Sequence, residues 1–444
     1  MGLPCWAKTA FCPFILIWQA FSIYFVGCLG AYLARLGRGL LCGLCVCCNC
    51  TYRDKVFPMN SVAIGKWKGK TPQQIEEEVI WKRISDICVR SGEEGAKLFS
   101  GDIHPNDICQ GQLGDCWLMS ACACLAGQRG AIQRCFLTRE YNAYGKYKVR
   151  LFDGARTSWS TVVIDDWIPC SRQTGQPVFA KPRGDEAWVL LLEKAMAKYK
   201  GSYGALDGGS TLWALEALTG DYVFKFKLES SSQAPVPVWK RYDLVHPKDG
   251  RGETLLGSTP DVLSPEEMFE TMLFYSRRRS VIAASSGSGS DTQSVKGIVQ
   301  GHAYSIVAVK EVDGFQLVRL RNPWGTFEWQ GAWGDSSPLW EQYPKVRRAL
   351  DWTRADDGSF WMSWQDVQAS FRCLDFCMRS TGWEELRIDI HEEHPCCGPT
   401  LGCLGGCCTF WCCCQGCRAL CFGKEGRKFE RAPQGCCANC VAGC

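Results

Sequence analysis

Apolar residues recur along this chain in two rhythms and one unbroken block. In TSWSTVVIDDWIPC (Thr157–Cys170) and HAYSIVAVKEVDGFQLVRLRN (His302–Asn322) they alternate with polar residues or form short β-branched runs. That pattern predicts strands, the second stretch folding back at a turn on Asp313-Gly314. PQQIEEEVIWKRISDIC (Pro72–Cys88), CWLMSACACLAG (Cys116–Gly127) and EAWVLLLEKAMAKYKG (Glu186–Gly201) read as helices, the last closed by a glycine suited to a C-cap. SSGSGSDTQS (Ser285–Ser294) precedes the His302 strand and predicts a loop beside whatever site that strand carries.

The unbroken block is TAFCPFILIWQAFSIYFVGCLGAYLA, Thr9–Ala34, 26 residues without a charge. As a helix it would run roughly 39 Å, against a hydrocarbon core of about 30 Å. It is too long for a signal peptide and has no polar face, so an N-terminal apolar helix anchored in a membrane is expected. Arg35, Arg38, Arg53 and Lys55 follow it, and the positive-inside rule leans towards a cytosolic C-terminal side.

Composition sharpens this division. With 444 residues the chain has room for two or three domains. A net charge of +4 and 22% charged residues give no footprint for nucleic acid. Of 31 cysteines, eight precede Thr51 and fourteen follow Pro395. The strings from Cys42 to Cys50 and from Cys396 to Cys417 admit zinc, disulfides or S-acylation. CxxC spacing without a regular pair-spacer-pair layout argues against zinc. Runs such as Cys412-Cys413-Cys414 suit disulfides poorly. Acylation beside an apolar segment is favoured, with zinc next.

The nine remaining cysteines lie in a core rich in tryptophan. In QGQLGDCWLMSACACLAG, Gly114-Asp115 places Cys116 at the start of a helix, where the dipole and a cationic partner would favour a thiolate. Cys122 and Cys124 lie further along and read as packing residues. Of five histidines, His302 alone opens a strand, in GHAYSIVAV, and the next strand ends in RNPWG. There Asn322 can fix the His302 tautomer, Trp324 can cover that bond, and Gln110 can join the Cys116 N–H in holding an oxyanion. Cys, His and Asn in this order form a papain-like constellation.

QGQLGDCW, GHAYSIV and RLRNPWGTFEWQGAW resemble the three active-site blocks of calpains, the calcium-dependent cysteine proteases. The resemblance runs from about Arg53 to Ile390 and implies an α+β core of two lobes meeting at a cleft. The expected divisions are a Cys-rich anchor segment (1–51), a helical Cys lobe (52–220), a β-rich His/Asn lobe (221–390) and a Cys-rich tail (391–444). It further implies that Gly209 and Gly301 border the cleft and bind substrate backbone.

It also implies one Ca²⁺ per lobe: Asp107 and Glu186 with backbone at Ser100 and Asp102, and Glu328, Asp335 and Asp357 with the backbone of Ala355. Two positions depart from the family. Ser359 stands in place of a glutamate ligand, and Pro105 in place of an arginine that pairs with that glutamate across the lobes. The implied activity is limited, calcium-regulated proteolysis of protein substrates by a membrane-tethered enzyme whose core faces the cytoplasm. A catalytically silent membrane scaffold and a Cys-rich metal-binding protein are the alternatives.

Overall fold

The computed structural model describes residues 51–88, 95–182, 184–231, 234–246, 254–278 and 280–379. The expected N-terminal apolar helix and both cysteine-rich strings lie outside these residues. Among the described residues no helix is long and apolar enough to cross a membrane.

Helix α1, Pro72–Glu78, starts on a reciprocal cap between Thr71 and Gln74. The pattern predicted a helix through Cys88, but the chain leaves it at Val79 for strand β1, Val79–Arg83, before a short helical turn over Ile84–Ile87. Val79, Ile80 and Trp81 are β-branched or aromatic, and they pair antiparallel with Ser171, Cys170 and Pro169. This partner is remote in sequence, and periodicity within the segment could not disclose it.

Helix α2, Cys116–Ala126, is buried from Trp117 onwards. Strands β2, Lys146–Asp153, and β3, Ser158–Asp165, form a ribbon, and β4, Trp167–Ser171, follows. The predicted strand over 157–170 is thus two strands parted at Asp166, whose carboxylate accepts from Arg83 at 2.8 Å. Helices α3, Trp188–Lys200, and α4, Thr211–Thr219, complete the first core, and α3 ends at Gly201 as expected.

The second part is built on one eight-stranded antiparallel sheet. Its strands are β5 (Tyr222–Ser231), β6 (Ala234–Val245), β7 (Leu255–Leu263), β8 (Val281–Ser286), β9 (Ala303–Val312), β10 (Phe315–Arg321), β11 (Ser359–Ser363) and β12 (Phe371–Met378). Their order is β11-β10-β9-β8-β12-β5-β6-β7. The β9–β10 hairpin turns where predicted, with positive φ at both Asp313 (52°) and Gly314 (80°), as a tight hairpin requires.

Two large apolar clusters result. One draws almost wholly on residues up to Leu218, and the other lies between Phe224 and Phe376. They meet along α2: Ser120 Oγ donates to the Ala303 carbonyl at 2.8 Å, and Cys124 Sγ contacts the Ile282 carbonyl at 3.3 Å. The helix that begins with Cys116 therefore packs on the strand that follows His302.

Candidate active site

Cys116 is the first residue of α2, behind a loop held in place from two sides. Gly114 N–H donates to Asp207 Oδ1 at 3.2 Å, and Gly208 N–H donates to the Gly114 carbonyl at 2.8 Å. Trp117 anchors the first turn through its indole N–H, which donates to the Leu206 carbonyl at 2.9 Å. Gly209 lies against this indole, so closely that a Cβ there would meet the ring at 2.3 Å.

Across from the helix, His302 is 2% exposed and Asn322 fully buried. His302 Nε2 lies 2.9 Å from Asn322 Oδ1. An amide oxygen can only accept, so this contact places the ring proton on Nε2 and leaves Nδ1 as a base. Asn322 is fixed in turn by the Trp324 N–H on Oδ1 at 3.1 Å and by its own Nδ2 on the Phe327 carbonyl at 3.3 Å. The Trp324 ring stands 4.5 Å from the imidazole, centre to centre, and covers it.

The Gly/Ser-rich loop reaches the same place. Ser286 N–H donates to the His302 carbonyl at 3.0 Å, and Gly301 N–H donates to the Gly287 carbonyl at 2.8 Å. Gly301 has φ 62°, and a Cβ would meet the Gly289 carbonyl at 2.4 Å, so the loop's close approach requires glycine.

The electrostatics differ from the thiolate expected of a helix start. Burial pushes the Cys116 thiol up to about 11, with the Asp115 charge adding, while the Ala303 and Trp117 N–H groups offset only part. Burial likewise pushes His302 down to about 4, against the Asn322 hydrogen bond and the Asp291 charge. Desolvation outweighs the helix dipole, and both groups are neutral near pH 7 in this arrangement. No hydrogen bond joins Cys116 to His302 among the described residues. Cys122 and Cys124 are buried and their thiols pushed far up by burial, as packing residues should be.

Gln110 is 9% exposed, and its Nε2 donates one hydrogen to the Leu113 carbonyl at 2.6 Å, leaving a second for another acceptor. Its backbone N–H donates to the Pro323 carbonyl at 3.1 Å, which ties the Cys116 loop to the Asn322 loop.

The acidic residues proposed for calcium fall into two sets. Glu186 accepts from Ser100 N–H at 2.6 Å and from the Trp188 indole at 2.8 Å; burial, with the Asp107 charge contributing, raises its carboxyl. Asp107 accepts from His104 N–H at 2.6 Å, and Asp102 is exposed. In the other set, Glu328 accepts from the N–H groups of Asp357 and Gly358, and Asp335 from that of Ala355. Burial, with Asp335 and Asp356 adding, pushes Glu328 up to about 7.

Glu328, Asp335 and Asp356 line a cavity of about 640 Å³. Oxygen donors that disfavour one another's charge suit a hard cation. Their present directions do not converge: among the described residues no three metal-ligating side chains are gathered to hold an ion. The sets fit calcium by donor type and charge, and closing on an ion requires the side chains to turn.

Two groups that the sequence reading passed over bridge the lobes. Arg321, 1% exposed, donates from Nε to Asn106 Oδ1 at 2.9 Å and from NH2 to the Ile108 carbonyl at 2.9 Å. Asn106 Nδ2 donates to Asp357 Oδ2 at 2.8 Å. Arg321 stands beside Asn322 in RLRNPWG, but nothing in that string says where its side chain points. Behind Cys116, Asp115 and Glu193 are both buried; burial pushes Asp115 up to about 7 and Glu193 well above its ordinary value.

Residues 52–378 match the model of the calpain family cysteine protease. The calpain-type cysteine protease DEK1 of Arabidopsis thaliana is 38% identical over 330 residues, which is 73% of this chain and 14% of that protein. Human Calpain-9 is 30% identical over 376 residues, covering 81% of this chain and 48% of its own length, and mouse Calpain-8 is 34% identical over 343 residues, covering 75% and 43%. The chain thus spans about half the length of these animal relatives and far less of the plant one.

Proposed function

The chain belongs to the calpain family of cysteine proteases, and on that premise we propose that it hydrolyses peptide bonds in protein substrates under calcium control. The observation that carries this reading is the buried His302 Nε2–Asn322 Oδ1 bond of 2.9 Å, set opposite the start of the Cys116 helix. His302 Nδ1 takes the Cys116 proton as Sγ attacks the scissile carbonyl carbon. The tetrahedral oxyanion is held by the Cys116 N–H and the second Gln110 Nε2 hydrogen.

The imidazolium then protonates the leaving amine, and the C–N bond breaks. Water, deprotonated by His302, attacks the thioester and releases the acid with the thiol restored. Asn322 holds the Nε2 proton and the ring's orientation throughout, and Trp324 keeps water off the bond.

Asp107 and Glu186, with Ser100 and Asp102 backbone, would hold one calcium; Glu328, Asp335 and Asp357, with Ala355 backbone, would hold another. A bound ion would supply positive charge to offset these carboxylates. In this reading Gly209 and Gly301 border the substrate cleft. The 26 uncharged residues at Thr9–Ala34 and the flanking cysteines, acylated, tether the core to the cytoplasmic face of a membrane.

The test is casein cleavage by the full chain across a calcium titration, with Cys116→Ser as control. Cleavage that rises with calcium and disappears in the variant is expected. A folded chain inactive at millimolar calcium would instead favour a silent scaffold. Recovery of the untreated chain in the aqueous phase of a detergent partition would overturn the tether, whereas release only after hydroxylamine, which cleaves thioesters, would assign it to the acyl chains.

A further inference from the structure

Pro105 and Ser359 leave this chain without the arginine and glutamate that the family resemblance places between the lobes, yet the lobes are joined at this spot. The three-residue 3₁₀ turn Pro105–Asp107 carries the join. Asn106 uses both ends of its amide, donating to the Asp357 carboxylate and accepting from the Arg321 guanidinium. An amide does both at once, whereas a carboxylate lacks the donor and an ammonium the acceptor. Arg321 immediately precedes Asn322, pairs with Ser359 in the sheet, and reaches on to the Ile108 carbonyl. Two residues further, the Gln110 N–H holds the Pro323 carbonyl.

One side chain thus contacts a candidate ion ligand on one side and the residue next to the histidine's partner on the other. Its chain neighbour, Asp107, is a candidate ligand of the other set. We propose that Asn106 is a positioning residue that couples the lobes, so that the placing of Asn322 and His302 opposite Cys116 answers to what Asp357 binds. The catalytic consequence rests on the protease reading above; the coupling itself does not.

Hydrogen exchange of the full chain carrying Cys116→Ser tests the coupling without activity or autolysis. Without calcium, Asn106→Ala should speed exchange at least tenfold at the Gln110 N–H and at the Asp357, Gly358 and Ser359 N–H groups. Leu191, whose N–H bonds the Ala187 carbonyl at the start of α3, should keep its rate. Asn106→Asp retains the acceptor for Arg321 and repels Asp357, so its effect should be confined to 357–359 and reversed by calcium.

With Cys116 present, Asn106→Ala should lower kcat about tenfold or more and leave KM within twofold. Unchanged exchange at Gln110 and 357–359 in Asn106→Ala overturns the proposal. If that variant loosens Leu191 as well, Asn106→Asp decides: a calcium-insensitive or chain-wide effect overturns the coupling. A chain that cleaves nothing but shows this exchange pattern overturns the protease reading and leaves the coupling standing.

Discussion

The floor of the helical lobe and the loop from Phe327 to Gly358 are both rich in acid, and they handle it differently. Under α3, Lys194 pairs with Asp165 with neither side chain exposed, Lys198 with Asp54, and Arg83 with Asp166. Each of these three carboxylates has a cation built into the fold. In the loop, Glu328 and Asp335 are satisfied by backbone N–H groups and have their carboxyls raised by burial, with the Asp335 charge adding at Glu328. Arg319 acts on Asp335 and Asp357 from a distance and makes no ion pair with either among the described residues. A charge with a fixed partner is structural, and a cluster without one is where a diffusible cation can change the fold's balance.

The proposed catalytic pair extends this contrast, since Cys116 and His302 are also without a fixed counter-charge and are held neutral. The largest effect is therefore kinetic. In calcium-free protein, iodoacetamide should alkylate Cys116 at pH 7.5 about 10³-fold more slowly than a fully ionised thiolate, rising tenfold per pH unit towards about 11. Rapid labelling at pH 7 without calcium would break the comparison. An NMR titration should find His302 neutral down to about pH 4.

Next in size, Lys194→Met strands Asp165 in the core and should cost about 3–5 kcal/mol in urea unfolding, with no rescue by calcium. Glu328→Gln should do the reverse in calcium-free protein. A carboxyl raised to about 7 from an unfolded value near 4.5 loses stability as pH climbs through that window. Removing it should therefore gain about 1 kcal/mol at pH 7.5 after solvent screening, nothing at pH 4.5, and weaken calcium binding. A loss at pH 7.5 would show that the loop has a cation of its own. The smallest effect is expected at the outer edge of the sheet. There Asp261→Asn removes a half-exposed partner of Arg241 and should change stability by less than about 1 kcal/mol.

What was legible from sequence follows how local each cause is. The turn at Asp313-Gly314, the start of α2 at Cys116 and the cap at Gly201 depend on residues within a few positions, and all three appear as read. The helix predicted through Cys88 fails at Val79 because a strand 90 residues on supplies a better partner. The same holds at the site. Cys116, His302 and Asn322 announce themselves by residue type and order, but the direction of their pKa shifts depends on how completely three separate segments exclude water. Asn106 and Arg321 were invisible for a related reason: each is an ordinary polar residue until the fold sets them 2.9 Å apart.

The packing of α2 has one more consequence. Because Ser120 and Cys124 bond carbonyls of Ala303 and Ile282, the helix belongs to both halves of the molecule, and the covalent link from Gly220 to Asp221 is not all that holds them. A single peptide-bond nick at that link should give two bands on a denaturing gel while the native particle keeps its size and its melting behaviour. Two halves expressed separately should recognise one another along this seam and restore a working whole on mixing, an enzyme that could be switched on by assembly.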